Sequence, residues 1–172
     1  MDYMFILLIV LAIAAITDVR TRRIPNWLTY PTMVAGLLYH VYANGWQGFL
    51  FGSEGLFLGF ALLIVFYLLG GMGAGDVKLM AGVGSILGPK IVFVAFLFTA
   101  LTGGIYAIIT IMIYGKLKDY FLSIKTLIFT GKLIIVPAKN AEKLPALYYG
   151  VAIAVGTFIT VILYRFNCIN LM

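Results

Sequence analysis

Long apolar stretches follow one another along this sequence, separated by short polar breaks. Of its 172 residues, 63% are hydrophobic and only 10% are charged, whereas soluble domains are nearer half apolar and a quarter charged. A chain with so few polar residues could not cover a water-facing surface, so lipid is its expected solvent. The sequence therefore predicts an integral membrane protein of the all-α class, folded as a polytopic helix bundle.

Six apolar segments are predicted to be transmembrane helices. Several are shorter than the ~20 residues of an upright span, which brings their polar flanks close to the hydrocarbon edge. The fourth is the weakest, and it could instead run on through Pro89 as one longer helix. That version would place Lys90 deep in lipid, which is costly, so a break at Gly88–Pro89 is preferred. The segments are Tyr3–Thr17, Leu28–Ala43, Gly55–Met72, Val77–Gly88, Ile91–Tyr114 and Leu147–Tyr164.

The placement of basic residues supports six crossings. If all six segments cross, the loops 18–27, 73–76 with its flank, and 115–146 share one side and hold ten of the twelve Lys and Arg residues. Cytoplasmic loops carry such an excess. The prediction is therefore a multi-pass protein of the cell (inner or plasma) membrane with both termini outside the cytoplasm. Omitting the fourth span would move six lysines of the long loop to the other side.

The loop 115–146 is expected to hold a cytoplasmic amphipathic helix lying in the interface. Its basic residues occupy other faces than its apolar ones, a pattern that favours anionic membrane lipids as partners. The alternative is an ordinary cytoplasmic connector held by hydrophobic packing. No long basic stretch interleaved with stacking aromatics appears, so nucleic acid is not an expected partner. The apolar residues at helical spacing are Leu117, Tyr120, Phe121, Ile124, Leu127 and Ile128.

Two of the six carboxylates in the chain are predicted to lie at the same membrane face. Asp18 directly follows the first segment, and Asp76 lies between the third and the fourth, so both are placed at the cytoplasmic ends of helices. Aspartic proteases need such a pair: one carboxylate takes a proton from water while the other, protonated, supports the developing oxyanion. Gly73 and Gly75, lacking side chains, would let an extended substrate come close to the backbone.

Simpler roles for these residues stay open on this reasoning. Asp18 could be a boundary charge balanced by the arginines of the loop that follows it, and Asp76 could be a helix N-cap after a glycine turn. Other chemistries fit less well. The chain has one histidine and one cysteine, far apart, so neither a Cys–His pair nor a zinc site is expected, and no cofactor is predicted.

Two segments of the chain resemble the signatures of bacterial type IV prepilin peptidases. The run Asp-Val-Arg-Thr-Arg-Arg-Ile-Pro-Asn-Trp-Leu-Thr at 18–29 is similar to the first, and Gly-Ala-Gly-Asp-Val-Lys-Leu at 73–79 is similar to the second, the Gly-x-Gly-Asp motif. From Leu144 to Gly156 the chain resembles the proline and glycine pattern at the start of the family's last helix. The resemblance covers residues 5 to 160, in the family's order and spacing.

This resemblance implies a membrane aspartic endopeptidase with Asp18 and Asp76 as its catalytic pair and with Gly73, Gly75 and Lys78 forming the active-site backbone around the substrate. The family cleaves the short basic leader of prepilin or pseudopilin precursors at the cytoplasmic face, just after a glycine. Larger members carry an N-terminal region with CxxC motifs, associated with methylation. By resemblance, residues 1–172 are expected to form a single peptidase-only domain, without that methyltransferase or zinc region, like the Flp/Tad-type forms.

Alternatives from other classes remain at this stage. A small ion or proton channel or transporter also has glycine-broken helices and carboxylates at the bilayer edge. Against it stands the lack of charge deeper in the segments, and no internal repeat is evident. Archaeal preflagellin peptidases are related to the family that the chain resembles. A catalytically silent assembly scaffold is the remaining possibility, since sequence does not show that the two carboxylates meet.

Overall fold

The computed structural model describes residues 2–113 and 148–166, and every regular element in these ranges is an α-helix. The predicted all-α class is therefore confirmed. The chain forms two compact units, Met1–Gly103 with Tyr148–Met172, and Gly104–Leu147. The amphipathic helix predicted in 115–146 lies outside the described residues. The helices are α1 (Asp2–Thr21), α2 (Asn26–Leu68), α3 (Ala74–Leu87), α4 (Pro89–Ile113) and α5 (Tyr149–Arg165).

Three of the described helices, α1, α2 and α4, are long and apolar enough to cross a membrane. The fourteen-residue α3 and the seventeen-residue α5 are shorter. Large apolar side chains such as Phe5, Trp46 and Leu69 lie exposed on the surface, as expected where lipid is the solvent. The membrane class of the prediction agrees with these helices, whereas the number of six crossings stays a prediction.

Helix α2 is broken in its middle, so its 43 residues form two helical stretches, 26–43 and 46–68. The break lies at Asn44 and at Gly45, whose φ of 56° suits a residue without a side chain. Gly48 packs on the His40 carbonyl and Gly52 packs on Leu37. In these contacts the residue number rises along the second stretch while it falls along the first. The two stretches therefore run antiparallel, as a hairpin.

Helix α3 is buried against both stretches of α2 through glycine contacts. A Cβ added to Gly82 would lie 3.1 Å from Cγ2 of Thr32 in the first stretch. On the other side, Gly84 and Gly55 are so close that a Cβ on either would overlap the carbonyl oxygen of the other. Small residues let helices approach closely where packing, rather than water, drives association. This packing holds α3 between the two stretches of α2.

The single histidine contacts the C-terminal end of α3. Nε2 of His40 lies 2.9 Å from the backbone oxygen of Ile86, one of the last carbonyls of the helix, which have no partner within it. The ring packs edge-on between Tyr39 and Phe51, with centroids at 5.4 and 5.0 Å. His40 therefore stabilises the end of α3 opposite to Asp76.

Candidate active site

Asp18 is the last member of the buried face of α1. Leu7, Leu11, Ala14 and Asp18 recur at spacings of four, three and four residues, which places them on one side of a helix, and all four are buried. The Asp18 side chain is only 6% exposed. A carboxylate at a core position of a helix costs free energy unless it has partners. Asp18 therefore faces the interior of the bundle and is not merely a charge at its boundary.

Asp76 lies in the first turn of α3 and is 7% exposed. Its Oδ2 accepts a hydrogen bond of 3.0 Å from the backbone N–H of Gly73, the residue just before the helix. Its own N–H donates back to the Gly73 carbonyl at 3.1 Å. Asp76 thus caps the start of α3 from the third helical position, as one half of a capping box does. The sequence-based capping interpretation is compatible with a functional role, because this bond uses only one of the two carboxylate oxygens.

The two aspartates lie within electrostatic range of each other. Burial raises the pKa of Asp76, which lies before the fourth predicted span and outside the candidate membrane-crossing helices, to about 6. The hydrogen bond from Gly73 opposes this change, and the negative charge of Asp18 adds to it. A pair of interacting carboxylates, one of which keeps its proton up to about pH 6, is the arrangement that acid–base hydrolysis by an aspartate pair uses.

This pKa predicts that the stability of the protein depends on pH through Asp76. Because the pKa in the folded state lies above the ordinary 3.8, the folded protein binds this proton more tightly than the unfolded chain does. Ionised Asp76 therefore destabilises the fold above pH 6, and the penalty disappears below about pH 4. Asp76→Asn keeps an acceptor for Gly73 and carries no charge. We expect this variant to be more stable than the parent at pH 7.5, by the order of 2 kcal/mol, and equally stable near pH 4.

The measurement is thermal or denaturant unfolding in detergent at the two pH values. Glu54→Gln, which removes an exposed carboxylate of α2, serves as the matched control. It is expected to leave the stability unchanged at both pH values. An Asp76→Asn variant that is no more stable than the parent at pH 7.5 would contradict the burial argument.

The start of α5 lies at Asp18, a contact that the sequence-based reasoning did not include. The backbone N–H of Gly150 donates a hydrogen bond of 2.8 Å to Oδ2 of Asp18. Tyr149, the residue before Gly150, interacts electrostatically with the charge of Asp76. The only sequence signal for this contact was the glycine near the start of the last apolar segment. The first turn of α5 therefore adjoins both carboxylates.

The other predicted site residues occupy different surroundings. Gly73 contacts Asp76 directly, as described above. Gly75 packs on the connection between α1 and α2, where an added Cβ would lie 3.0 Å from both Cβ and O of Ile24. Lys78 Nζ donates to Oδ1 of Asn26 at 2.9 Å and lies 4.8 Å above the ring of Tyr30. Its described contacts are thus with the start of α2, and its predicted part in the site stays a prediction.

A branched side chain at position 75 is expected to displace the segment that carries Asp76. In Gly75→Val the added Cβ and its two methyl groups would press on Ile24, and overpacking of this kind shifts the backbone. The resemblance to prepilin peptidases implies cleavage of a prepilin, and we expect this cleavage to fall roughly tenfold to a hundredfold, since small misplacements in a site have effects of that size. Ala74→Val, which makes a similar change at the exposed neighbouring residue, is the control. Equal turnover of both variants and the parent would show that Gly75 is not needed.

An open cleft of about 500 Å³ lies at the connection between α1 and α2. Its walls include Thr17 and Thr21 of α1 and the residues 23–27 of the connection. Within 2–113 and 148–166, no group of three or more His, Cys, Asp or Glu residues lies close enough together to hold a metal ion.

Comparison with known proteins gives two matches. A family model described as the type IV leader peptidase family matches residues 5–108. The prepilin leader peptidase/N-methyltransferase of Bacillus subtilis (strain 168) is 36% identical over 99 residues, which cover 56% of this chain and 39% of that protein. The chain therefore matches well under half the length of that relative. No solved structure gives a significant match.

Proposed function

The chain belongs to the type IV leader peptidase family, and from this membership we propose that it is a membrane aspartic endopeptidase that removes the leader of a prepilin-like precursor. The family match includes both Asp18 and Asp76. The relative from Bacillus subtilis is named for leader cleavage and for N-methylation. Our proposal covers the cleavage step alone, with residues 1–172 serving as a single peptidase domain.

One observation carries the proposal. Two buried aspartates, on separate helices 58 positions apart in the sequence, interact with each other, and the pKa of Asp76 is raised to about 6. A water molecule between them would lose a proton to the ionised carboxylate and attack the scissile carbonyl carbon. The protonated carboxyl group would hydrogen-bond to the carbonyl oxygen as negative charge develops there. Gly73, which is exposed, would leave room for an extended substrate backbone beside this pair.

The substrate that we propose is a prepilin or pseudopilin precursor cut directly after a glycine, at the cytoplasmic face of the cell membrane. The distribution of Lys and Arg supports that face, because ten of the twelve lie in the loops that six crossings would place there. In this arrangement the pair meets the leader where it leaves the membrane. Both chain termini would lie outside the cytoplasm.

A reconstituted cleavage assay tests the proposal. The purified protein, in detergent or liposomes, is incubated with a candidate prepilin from the source genome, and the new N-terminus is determined by sequencing. We expect one cut, directly after the last glycine of the leader. A second precursor, with that glycine replaced by a bulky residue, is expected to stay intact. Absence of any cleavage of several candidate precursors by folded protein would contradict the proposed activity.

A further inference from the structure

The carboxylate of Asp18 meets the N-terminus of another helix. It accepts a hydrogen bond of 2.8 Å from the N–H of Gly150, and the N–H of Val151 is also directed to it. Both N–H groups belong to the first turn of α5, where backbone donors have no partner within the helix. The dipole of a helix also favours negative charge at this end. Asp18 therefore supplies an acceptor that the start of α5 lacks, although it comes from α1.

The lack of a side chain at position 150 lets Asp18 come this close to the start of α5. A Cβ there would lie 2.9 Å from Cβ and from Oδ2 of Asp18, closer than real side-chain carbons approach such atoms. The short distance brings the N–H group within hydrogen-bonding range. Hydrogen bonds from N–H groups to a carboxylate stabilise the ionised form over the protonated one.

Asp76 has a different set of neighbours. Its carboxylate accepts a hydrogen bond from Gly73, and it lies at the start of its own helix. Among residues 2–113 and 148–166, the titratable groups that act on the pair are the two aspartates themselves and Tyr149 of α5. The guanidinium of Arg22 lies 5.9 Å from the ring of Tyr148, just before α5. Asp18 thus receives a backbone N–H from the start of a second helix, α5, whereas Asp76 receives the N–H that lies just before its own helix.

From this arrangement we infer that the first turn of α5 holds Asp18 as the ionised member of the pair, so that Asp18 is the general base and Asp76 carries the proton. Gly150 is then a positioning residue, acting through Asp18. The catalytic roles of the two aspartates in this inference rest on the proposed function. The distribution of the proton is a property of the folded protein alone.

The assignment fixes where each proton goes. One proton of the water moves to Asp18 as the water oxygen bonds to the scissile carbonyl carbon, and the proton of Asp76 moves to the carbonyl oxygen. As the tetrahedral intermediate collapses, the C–N bond breaks, the proton on Asp18 goes to the leaving amine, and the hydroxyl proton returns to Asp76. Both carboxyl groups end as they began.

Carboxyl NMR tests this inference without any substrate. The chain has four aspartates, so selective ¹³C labelling of aspartate gives four carboxyl signals, and those of Asp18 and Asp76 are assigned by their loss in the two asparagine variants. On lowering the pH from 8, we expect Asp76 to take up the first proton of the pair while Asp18 stays ionised. Uptake of the first proton by Asp18 would overturn the inference, even if the protein cleaves prepilin.

The variant Gly150→Ala tests the role of the α5 turn. Weakening the bond to Asp18 is expected to move the Asp18 titration to higher pH, more than that of Asp76. With a cleavable precursor, we expect kcat to fall roughly tenfold to a hundredfold, the loss that one hydrogen bond to a charged group implies. KM should change little, and the acidic limb of the pH profile should move to higher pH.

Gly104→Ala is the control for this variant, because a Cβ there meets nothing within 4 Å. It should leave both titrations and the activity unchanged. An Asp18 titration that stays in place in folded Gly150→Ala would contradict the inference. If that variant does not fold, the titration of the parent protein alone decides it. If neither precursor nor peptide is cleaved while Asp76 is protonated first, the proposed function fails and the proton assignment stands.

Discussion

Replacement of either Asp18 or Asp76 by asparagine is expected to reduce leader cleavage about a thousandfold or more. Asparagine has nearly the shape of aspartate but can neither take a proton from water nor return one, and general acid–base catalysis contributes typically ~10²–10⁴-fold. The two carboxylates act on the same water molecule. The double variant is therefore expected to cleave no more slowly than the slower of the two single variants. The measurement is the initial rate of prepilin cleavage in detergent or membranes, resolved by gel or mass spectrometry.

Glu54→Gln is the matched control, because it removes an exposed carboxylate of α2 by the same chemical change. It should retain the activity of the parent. Each asparagine variant must elute as folded protein, which Asp76→Asn is expected to do because it is predicted to be more stable at neutral pH. Near-normal turnover by either asparagine variant would remove that aspartate from the catalytic pair.

A side chain on Gly84 is expected to cause a large loss of stability. Gly84 of α3 meets Gly55 of α2, and even the Cβ of alanine would overlap the Gly55 carbonyl oxygen. A backbone atom cannot rotate out of the way as a side chain can, so α3 must move as a whole. We expect Gly84→Ala to destabilise the protein by about 3 kcal/mol, the upper end of the usual cost of overpacking.

The consequence is measurable as a lower unfolding temperature in detergent and a smaller folded fraction on gel filtration. Gly104→Ala again serves as the control, since it adds the same methyl group to a helix where space is open. It should be neutral or slightly stabilising, because alanine favours helix over glycine. If Gly84→Ala and Gly104→Ala unfold at the same temperature, the close contact between α2 and α3 is not present in the membrane protein.

The apolar pattern predicts the class of the fold well but not the ends of its helices. The first predicted segment ends at Thr17, whereas α1 continues to Thr21. The third begins at Gly55, whereas the helix is already formed from residue 46. The polar Gln47 and Glu54 lower the hydropathy of that stretch, but backbone hydrogen bonds form regardless of side-chain polarity. Hydropathy reports which residues tolerate lipid and not where the helical hydrogen bonds stop.

The sequence predicts only those parts of the candidate site in which a side chain with distinctive chemistry takes part. Asp18 and Asp76 could be paired from the sequence because carboxylates are rare in this chain and both lie next to apolar segments. The contact of Gly150 with Asp18 could not, because it is made by a backbone N–H that every residue except proline has, and it joins positions 132 residues apart. The close approach of Gly84 to Gly55 was hidden for the same reason: a glycine does not identify its partner.

The most direct test of this account is the distance between the two carboxylate positions in the membrane. With Cys168 replaced by serine, Asp18→Cys and Asp76→Cys are combined and treated with a short bis-methanethiosulfonate reagent. Phe5→Cys with Asp76→Cys is the control pair, because Phe5 lies thirteen residues from Asp18 along α1, about 20 Å away. We predict rapid intramolecular cross-linking of the first pair and not of the second. If folded protein of the first pair reacts no faster than the control, the two aspartates do not share one water molecule.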